Sequence, residues 1–423
     1  MWYHLIGISG ISMKTIAEIL KKQGHKVTGS DLKLSGHSKE NIVEGIDVVV
    51  YTSAITPGSA GWIEVEESKR KKIKLIKRGK ILADLVGNRK VIAVSGTHGK
   101  TTTTSMIGLT LIKAGFDPLV IVGEEVKEFN GTYRYGNGEW AVIEACEYDR
   151  NFLYLNPQIS VITNIEEEHL DHYPGGISEL ISTFTKFALQ TQKDGSIVIC
   201  GDDKNAMRVY DNLVRSERQT VTYGLCRENQ FNQLGFELSI PGDHNRRNAL
   251  ATVAVANQLG IDIEIVNSAI SNFSGAHRRF EILGKKNGTV VIDDYGHHPT
   301  EIAAFLSGVK EKYPDKKIFT VFWPHQYKRT RAFLEKFPQA LSLSSKIIIK
   351  EIFFVPGRDE KSNISSMDIV DSINRQQGEK ALFIDDDDKI VNYLNDNLDD
   401  KYVLVTVGIP PIYKVAKKFL GQK

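Results

Sequence analysis

Short apolar runs rich in Val and Ile recur along the chain, and each stops abruptly at a polar or glycine-containing segment. Runs of this kind read as buried strands, whereas apolar residues recurring at i, i+3 and i+4 read as helices. On that basis Trp2 to Ile8 is a strand, Gly7-Ile8-Ser9-Gly10-Ile11-Ser12 a turn, and Met13 to Lys22 a helix closed by Gly24. His25 to Gly29 is a second strand, ending at Ser30-Asp31, and Ile46 to Tyr51 a third, ending at Thr52-Ser53-Ala54. The pattern predicts a Rossmann-like βαβ start.

A second series opens near Arg89. Val91 to Val94 reads as a strand, and a helical pattern from Thr103 carries Met106, Ile107, Leu109, Leu111 and Ile112. Trp140 to Ile143, Ile159 to Thr163 and Ser196 to Cys200 are further strands, and Ala249 to Leu259 is a helix. A third series begins around His277, with strands at Thr289 to Ile292, Ile318 to Phe322, Lys346 to Ile349 and Tyr402 to Val407 alternating with helices. Strand and helix in alternation mean an α/β protein with parallel sheets. The expected domains are 1–88, 89–275 and 276–423.

Length agrees with that division, because 423 residues exceed one ordinary core. The 54 basic and 52 acidic residues nearly balance, which argues against a nucleic-acid or membrane surface. The three cysteines, Cys146, Cys200 and Cys226, lack metal-ligand spacing, and reduced thiols in a cytoplasm are the simplest expectation. MWYHLIGISG has no basic segment before an apolar core, so it does not read as a signal peptide, and no apolar run approaches a membrane span.

The polar clusters share one placement. Those after residues 94, 143, 163, 292 and 322 each follow an apolar strand, at the edge where open α/β sheets bind ligands. The first is Gly96-Thr97-His98-Gly99-Lys100-Thr101-Thr102. Glycines between a strand and a helix let backbone N–H groups approach phosphate oxygens, a lysine adds a full charge, and a threonine hydroxyl can ligate Mg²⁺. The common form, G-x-x-x-x-G-K-[ST], would place its outer glycine at 94, where this chain has Val94. The loop is therefore a shortened G-T-x-G-K-T.

Glu144 and His169, each just after a strand, are candidate metal ligands; the alternatives are an ion-pair partner and a surface or capping histidine. Mn²⁺ suits a histidine ligand as readily as Mg²⁺. Arg278-Arg279 and Arg329-Arg331 are either bidentate partners for phosphate or carboxylate, or surface charge. Asn245 and Asn248 stand at a helix start, where one can cap the helix and the other read a purine edge. Ser9 and Ser12 stand where a dinucleotide fingerprint has glycines, leaving open a site for another nucleotide diphosphate, with Asp31 near a ribose.

Taken together these segments resemble the Mur ligase family, most closely its alanine-adding branch. The likeness is carried by GTHGKTTTT at 96–104, EACEYDRNFL at 144–153, TNIEEEHLDHY at 163–173, HNRRNALA at 244–251, RRFE at 278–281, DDYGHHPTEI at 293–302 and PHQYKRTR at 324–331. GISGISM near the N-terminus and GSD at 29–31 also fit. The resemblance implies three domains: a Rossmann-like UDP-sugar domain, a central P-loop ATPase and a C-terminal Rossmann-like domain for the amino acid. It implies ATP-dependent ligation of L-alanine to UDP-N-acetylmuramate through an acyl phosphate, in a cytoplasmic monomer or homodimer.

By the same resemblance, Lys100 grips phosphates, while Thr101, Glu144 and His169 hold the metal. Asn245, Asn248, Arg278, Arg279 and Asp294 serve ATP, with the arginine pair at the γ-phosphate. Gly7, Ser9, Gly10, Ile11, Ser12, Asp31 and Ser53 serve the UDP-sugar, and Tyr295, His297, Gln326 and Arg329 the amino acid. Lys100, His169, His297 and Arg329 are the expected catalytic residues. The chain departs from the family pattern at Cys146, where an aspartate is usual, and at Gln326, where the alanine-adding branch has arginine. Two other expectations remain: a family member with a different acceptor, such as a murein tripeptide or another amino acid, and a nucleotide-binding paralogue without ligase activity.

Overall fold

The structure, a computed structural model, describes residues 1–168, 172–355, 359 and 363–422. It contains three sheets in chain order. The first is four-stranded and parallel, built from β1 (Trp2–Ile6), β2 (Lys26–Ser30), β3 (Val48–Tyr51) and β4 (Lys74–Lys77) in the order β2-β1-β3-β4. Helices α1 (Ile11–Lys22), α2 (Trp62–Arg70) and α3 (Arg78–Leu85) accompany it.

The second sheet has seven strands: β5 (Lys90–Ser95), β6 (Leu119–Val126), β7 (Gly131–Arg134), β8 (Trp140–Glu144), β9 (Ile159–Ile162), β10 (Ser196–Cys200) and β11 (Gln219–Tyr223). The order is β11-β10-β9-β5-β8-β6-β7, with only β7 antiparallel. β5 lies at the centre, buried from Val91 through Ser95, as expected of a parallel strand covered on both faces. Its helices are α4 (Lys100–Lys113), α5 (Gly176–Leu189), α6 (Lys204–Leu213), α7 (Asp243–Gln258) and α8 (Ile263–Ile270).

The third sheet runs β12 (Glu281–Lys286), β13 (Thr289–Asp294), β14 (Lys317–Phe322), β15 (Ser344–Ile349), β16 (Ala381–Phe383) and β17 (Tyr402–Val407), ordered β12-β13-β17-β14-β15-β16. β12 is an antiparallel edge and the rest are parallel. Among its helices are α9 (Pro299–Lys312) and α10 (Tyr327–Phe333).

The chain forms two compact units: residues 1–237 with 247–273, and 238–246 with 274–423. The first two sheets thus belong to one unit. One apolar cluster explains it, running from Leu5, Ile16, Val50 and Ile81 to Ala93, Ile143, Phe152 and Ile199. The dividing point falls inside α7, which starts at Asp243 rather than at the expected Ala249.

α4 also starts earlier than expected, at Lys100 instead of Thr103. Threonine and serine disfavour helix interiors when their hydroxyls compete for backbone groups. Here Thr104 Oγ1 donates to the Lys100 carbonyl at 2.8 Å and Ser105 Oγ to the Thr101 carbonyl at 2.7 Å, so the hydroxyls are satisfied inside the helix.

Candidate functional site

The loop between β5 and α4 is tied to the segment after β9. Thr97 N–H donates to the Asn164 carbonyl (2.9 Å), His98 N–H to Asn164 Oδ1 (2.8 Å), and Thr163 Oγ1 to the His98 carbonyl (2.7 Å). The Glu166 N–H donates to Thr97 Oγ1 at 2.8 Å. Backbone approach demands glycine twice. At Gly96 (φ +145°) a Cβ would fall 1.9 Å from Thr163 Oγ1; at Gly99 (φ +79°) it would fall 2.6 Å from Asn248 Oδ1. Asn248 Oδ1 also accepts from Thr103 Oγ1 at 3.1 Å, so this amide is built into the loop's wall.

Lys100 and Thr101, the first residues of α4, each meet an acid from the end of β8 or the segment just after it. Thr101 Oγ1 donates to Glu144 Oε2 at 2.7 Å. The same oxygen accepts from Gly123 N–H at 2.7 Å, and a Cβ on Gly123 would lie 2.7 Å from Glu144 Oε1. Lys100 Nζ donates to the carbonyls of Gly96 (2.5 Å) and Thr97 (2.9 Å) and lies 3.1 Å from Glu147 Oε2. Burial works against this ammonium. The charges of Glu147, Glu144 and Glu168 outweigh it, so Lys100 is held above the ordinary lysine value and stays charged. Burial, with Glu147 adding to it, raises the Cys146 thiol, so cysteine here does not replace the charge of the usual aspartate.

Glu147 is a residue that sequence reasoning passed over. It is 2% exposed and is the nearest counter-charge of Lys100. Its only signal was a second glutamate three positions after Glu144. His169, expected as a metal ligand, lies outside the described residues. Thr101 and Glu144 present hard oxygens together in a glycine-cleared recess, which fits a small divalent cation. Thr102 is buried in the first turn of α4.

The N-terminal turn is organised by Asp31, whose carboxylate accepts from Ser9 N–H (3.1 Å) and Lys33 N–H (3.0 Å). Gly7 N–H donates to the Ser30 carbonyl at 2.8 Å, and Gly10 N–H to the Gly7 carbonyl at 3.1 Å. Gly10 caps α1 without a side chain and no acid stands in the first turn, so the N–H groups near Ile11 and Ser12 suit an anion. The Ser53 hydroxyl donates to Asp149 Oδ2 at 2.6 Å, in the segment after β8.

A second cluster was not anticipated. Glu64, 0% exposed, accepts from Ser30 Oγ (2.7 Å), Asn41 Nδ2 (2.8 Å) and Ser38 N–H (3.1 Å). The rings of His4 and His37 lie 3.1 and 3.3 Å from it. Burial alone would raise this carboxyl, but the bonds from His4, Asn41, Ser30 and Ser38 overcome it and bring its pKa down to about 2. Glutamate in an amphipathic helix reads as a solvated face, and nothing in the local pattern marks this one as buried.

In the second unit, Arg278 is a strut. It is 5% exposed, with Nε on Asp293 Oδ2 (2.8 Å), Nη1 on the Ile409 carbonyl (2.7 Å) and Nη2 on the Gly408 carbonyl (2.5 Å). These bonds engage the guanidinium within its own unit. Arg279 is the partly exposed member of the pair, 3.3 Å from Glu301 and over the Tyr295 ring. Asp294 accepts from Phe280 N–H (2.9 Å) and Gly296 N–H (2.7 Å). Burial nevertheless raises its pKa to about 6, against the pull of Arg279 and those two donors.

His297 Nδ1 lies 3.3 Å from Glu301, the residue that completes the capping box of α9 with His298. Asn245 Nδ2 donates to the Pro241 carbonyl at 2.7 Å, a bond within its own turn. Gln326 caps α10 with φ +65° and ψ +129°, which non-glycine residues rarely adopt, and Arg329 follows in the same helix.

Three family descriptions match the chain: "Mur ligase family, catalytic domain" over residues 2–90, "Mur ligase middle domain" over 94–256, and "Mur ligase, glutamate ligase domain" over 278–408. The UDP-N-acetylmuramate–L-alanine ligase of Caldanaerobacter subterraneus subsp. tengcongensis is 40% identical, covering 99% of this chain and 97% of that one. The crystal structure of the corresponding ligase from Thermotoga maritima is similar with a TM-score of 0.82 at 26% identity, covering 100% of this chain and 98% of that one. A murein peptide ligase from Psychrobacter arcticus shares the fold, with a TM-score of 0.68 at 21% identity over 100% of this chain and 98% of that one.

Proposed function

Because the chain belongs to the Mur ligase family, we propose that it is an ATP-dependent ligase joining L-alanine to the carboxylate of UDP-N-acetylmuramate. ATP and Mg²⁺ use is typical of the family, and its ligases act in the cytoplasm on small-molecule substrates. Among the described residues, no helix is long and apolar enough to cross a membrane. The observation that carries the reading is the pairing of Thr101 with Glu144 beside that of Lys100 with Glu147, at the mouth of a glycine loop.

The chemistry required is activation of a poor acyl donor. An oxygen of the sugar carboxylate attacks the γ-phosphorus of ATP and ADP departs, leaving an acyl phosphate. The alanine amine then attacks the acyl carbon, loses a proton, and expels phosphate. Lys100 holds a full charge against the phosphates, and the loop N–H groups orient them, which lowers the cost of gathering charge in the transition state. Thr101 and Glu144 would hold Mg²⁺, with Mn²⁺ as an alternative, and the bound ion neutralises phosphate charge.

In the second unit, Arg329 is proposed for the carboxylate of the incoming amino acid, with Tyr295, His297 and Gln326 beside it. His297 is oriented by Glu301. Gln326 in place of arginine favours testing other acceptors, because a neutral amide binds a carboxylate less strongly than a guanidinium. The test supplies UDP-N-acetylmuramate, ATP, Mg²⁺ and a panel of amino acids, and measures phosphate release and the mass of the nucleotide product. Release with alanine alone, giving the alanyl product, is expected. Release with another acceptor moves the assignment within the family, and ATP binding without release for any acceptor overturns a ligase.

A further inference from the structure

Arg78 opens α3 directly after β4 and stands beside both halves of the first unit. Its Nη1 donates to Ser12 Oγ at 3.1 Å, which among the described residues is its one side-chain hydrogen bond. A guanidinium carries five donors, so most of its capacity is unused. Its neighbours lock it against the segment that supplies Glu144 and Glu147. Lys77 Nζ lies 3.0 Å from Asp149 Oδ2, which also accepts from Ser53 Oγ. A Cβ on Gly79 would fall 2.2 Å from Asn151 Oδ1, so the chain there touches the turn after β8.

That turn is itself held in an uncommon shape, with Asp149 and Arg150 at φ +52° and +54°. The positive charge of Arg78 is felt at Cys146. A half-buried arginine is therefore fixed between the N-terminal turn Gly7–Ser12 and the acid segment facing the ATP loop, with donors to spare.

We propose that Arg78 is a sugar-nucleotide-binding residue, donating to an anionic oxygen of the UDP-sugar as it lies between the Ser12 turn and the ATP loop. This rests on the reading of Gly7–Ser12 as the UDP-sugar turn. The anionic oxygen belongs either to the diphosphate or to the carboxylate that is to be phosphorylated; both present the same chemistry to a guanidinium.

The test compares the wild type with Arg78→Met in binding UDP-N-acetylmuramate, UDP-N-acetylglucosamine, uridine and a non-hydrolysable ATP analogue. Calorimetry follows the nucleotides, and ligand-observed NMR follows uridine. The expected result is a Kd for UDP-N-acetylmuramate at least tenfold weaker, with uridine and the ATP analogue within twofold of wild type. An equal loss for UDP-N-acetylglucosamine assigns the contact to the diphosphate, and a loss confined to UDP-N-acetylmuramate assigns it to the carboxylate; each supports the proposal. Undiminished UDP-N-acetylmuramate binding by the variant, or a loss shared by uridine and the ATP analogue, overturns it. A wild type that binds the ATP analogue but neither sugar nucleotide overturns the UDP-sugar assignment, and this proposal with it.

Discussion

Thr101 and Glu144 are joined by a hydrogen bond of 2.7 Å from the first turn of α4 to the end of β8. Neither side chain needs to move far to present an oxygen to one cation, since Gly123 clears the space beside the carboxylate. Thr101→Val removes the hydroxyl and keeps the shape. We expect it to raise the Mg²⁺ concentration giving half-maximal phosphate release by on the order of 10–100-fold, the range seen when groups supporting a metal site are lost. A titration of activity against Mg²⁺ measures it, and an unchanged half-saturation point removes Thr101 from the metal site.

The pairing of Lys100 with Glu147 gives a second expectation. Lys100→Met removes the full charge at the phosphates and should lower the rate by on the order of 10²–10³, as loss of a preorganised donor does. Glu147→Gln leaves Lys100 charged but without its nearest counter-charge. It should change ATP affinity more than the affinity for the amino acid. Single-turnover phosphate release and ATP-analogue binding separate the two effects; a Lys100→Met enzyme of normal rate would remove this lysine from the chemistry.

Much of this was legible in the chain. The central strands could be read because parallel strands covered on both faces are continuous apolar runs, and Ser196–Cys200 and Tyr402–Val407 begin and end where the pattern does. Helix starts were less legible. The Thr-rich opening of α4 satisfies its own hydroxyls, and periodicity carries no trace of that. Long-range burial was least legible. Arg278 and Glu64 look like surface charges in sequence, yet each is enclosed by partners distant along the chain, such as the Gly408 carbonyl for Arg278 and His4 for Glu64. The first two domains could be told apart by their strand series, but their shared apolar cluster could not be foreseen.

Glu64 makes stability depend on pH in a definite direction. Its pKa falls from 4.5 to about 2 on folding, so the folded state prefers the ionised form. The stabilisation is complete above the unfolded value and is lost as pH falls from 4.5 towards 2. At ~1.4 kcal/mol per pKa unit this corresponds to about 3 kcal/mol. Glu64→Gln should therefore lower the Tm at pH 7, and the gap from wild type should narrow steadily below pH ~4.5. Thermal melts across that range decide the matter, and a gap independent of pH would mean that the charge of Glu64 contributes nothing.

Asp294 has the opposite sign. Burial lifts its pKa from 3.8 to about 6, so the folded state holds its proton more tightly than the unfolded chain. Its contribution favours folding most at low pH and declines as pH rises from 3.8 to about 6. Asp294→Asn removes the titration and keeps an oxygen for one of the two donors, Phe280 N–H or Gly296 N–H; the loss of the other bond does not depend on pH. The Tm of the variant relative to wild type should therefore rise between pH 4 and 6. A difference that stays flat across this interval would contradict the raised pKa.

Gln326 combines an unusual backbone with a departure from the family pattern. Its N–H donates to the Phe353 carbonyl at 2.9 Å, and its own carbonyl accepts from Thr330 N–H at 3.0 Å and Thr330 Oγ1 at 2.8 Å. These bonds hold φ at +65° in spite of the side chain. Strain of this kind costs roughly 1–3 kcal/mol and persists where the surroundings impose it. Gln326→Gly relieves it, so the Tm should rise, and if the amide contacts the acceptor the amino-acid KM should rise too. Gln326→Arg keeps the strain and adds a guanidinium, so the amino-acid KM should fall while the ATP KM stays the same. Steady-state kinetics with both variants test the pair together. A higher Tm for Gln326→Gly with neither variant altering the amino-acid KM would make the conformation a feature of the α10 cap alone.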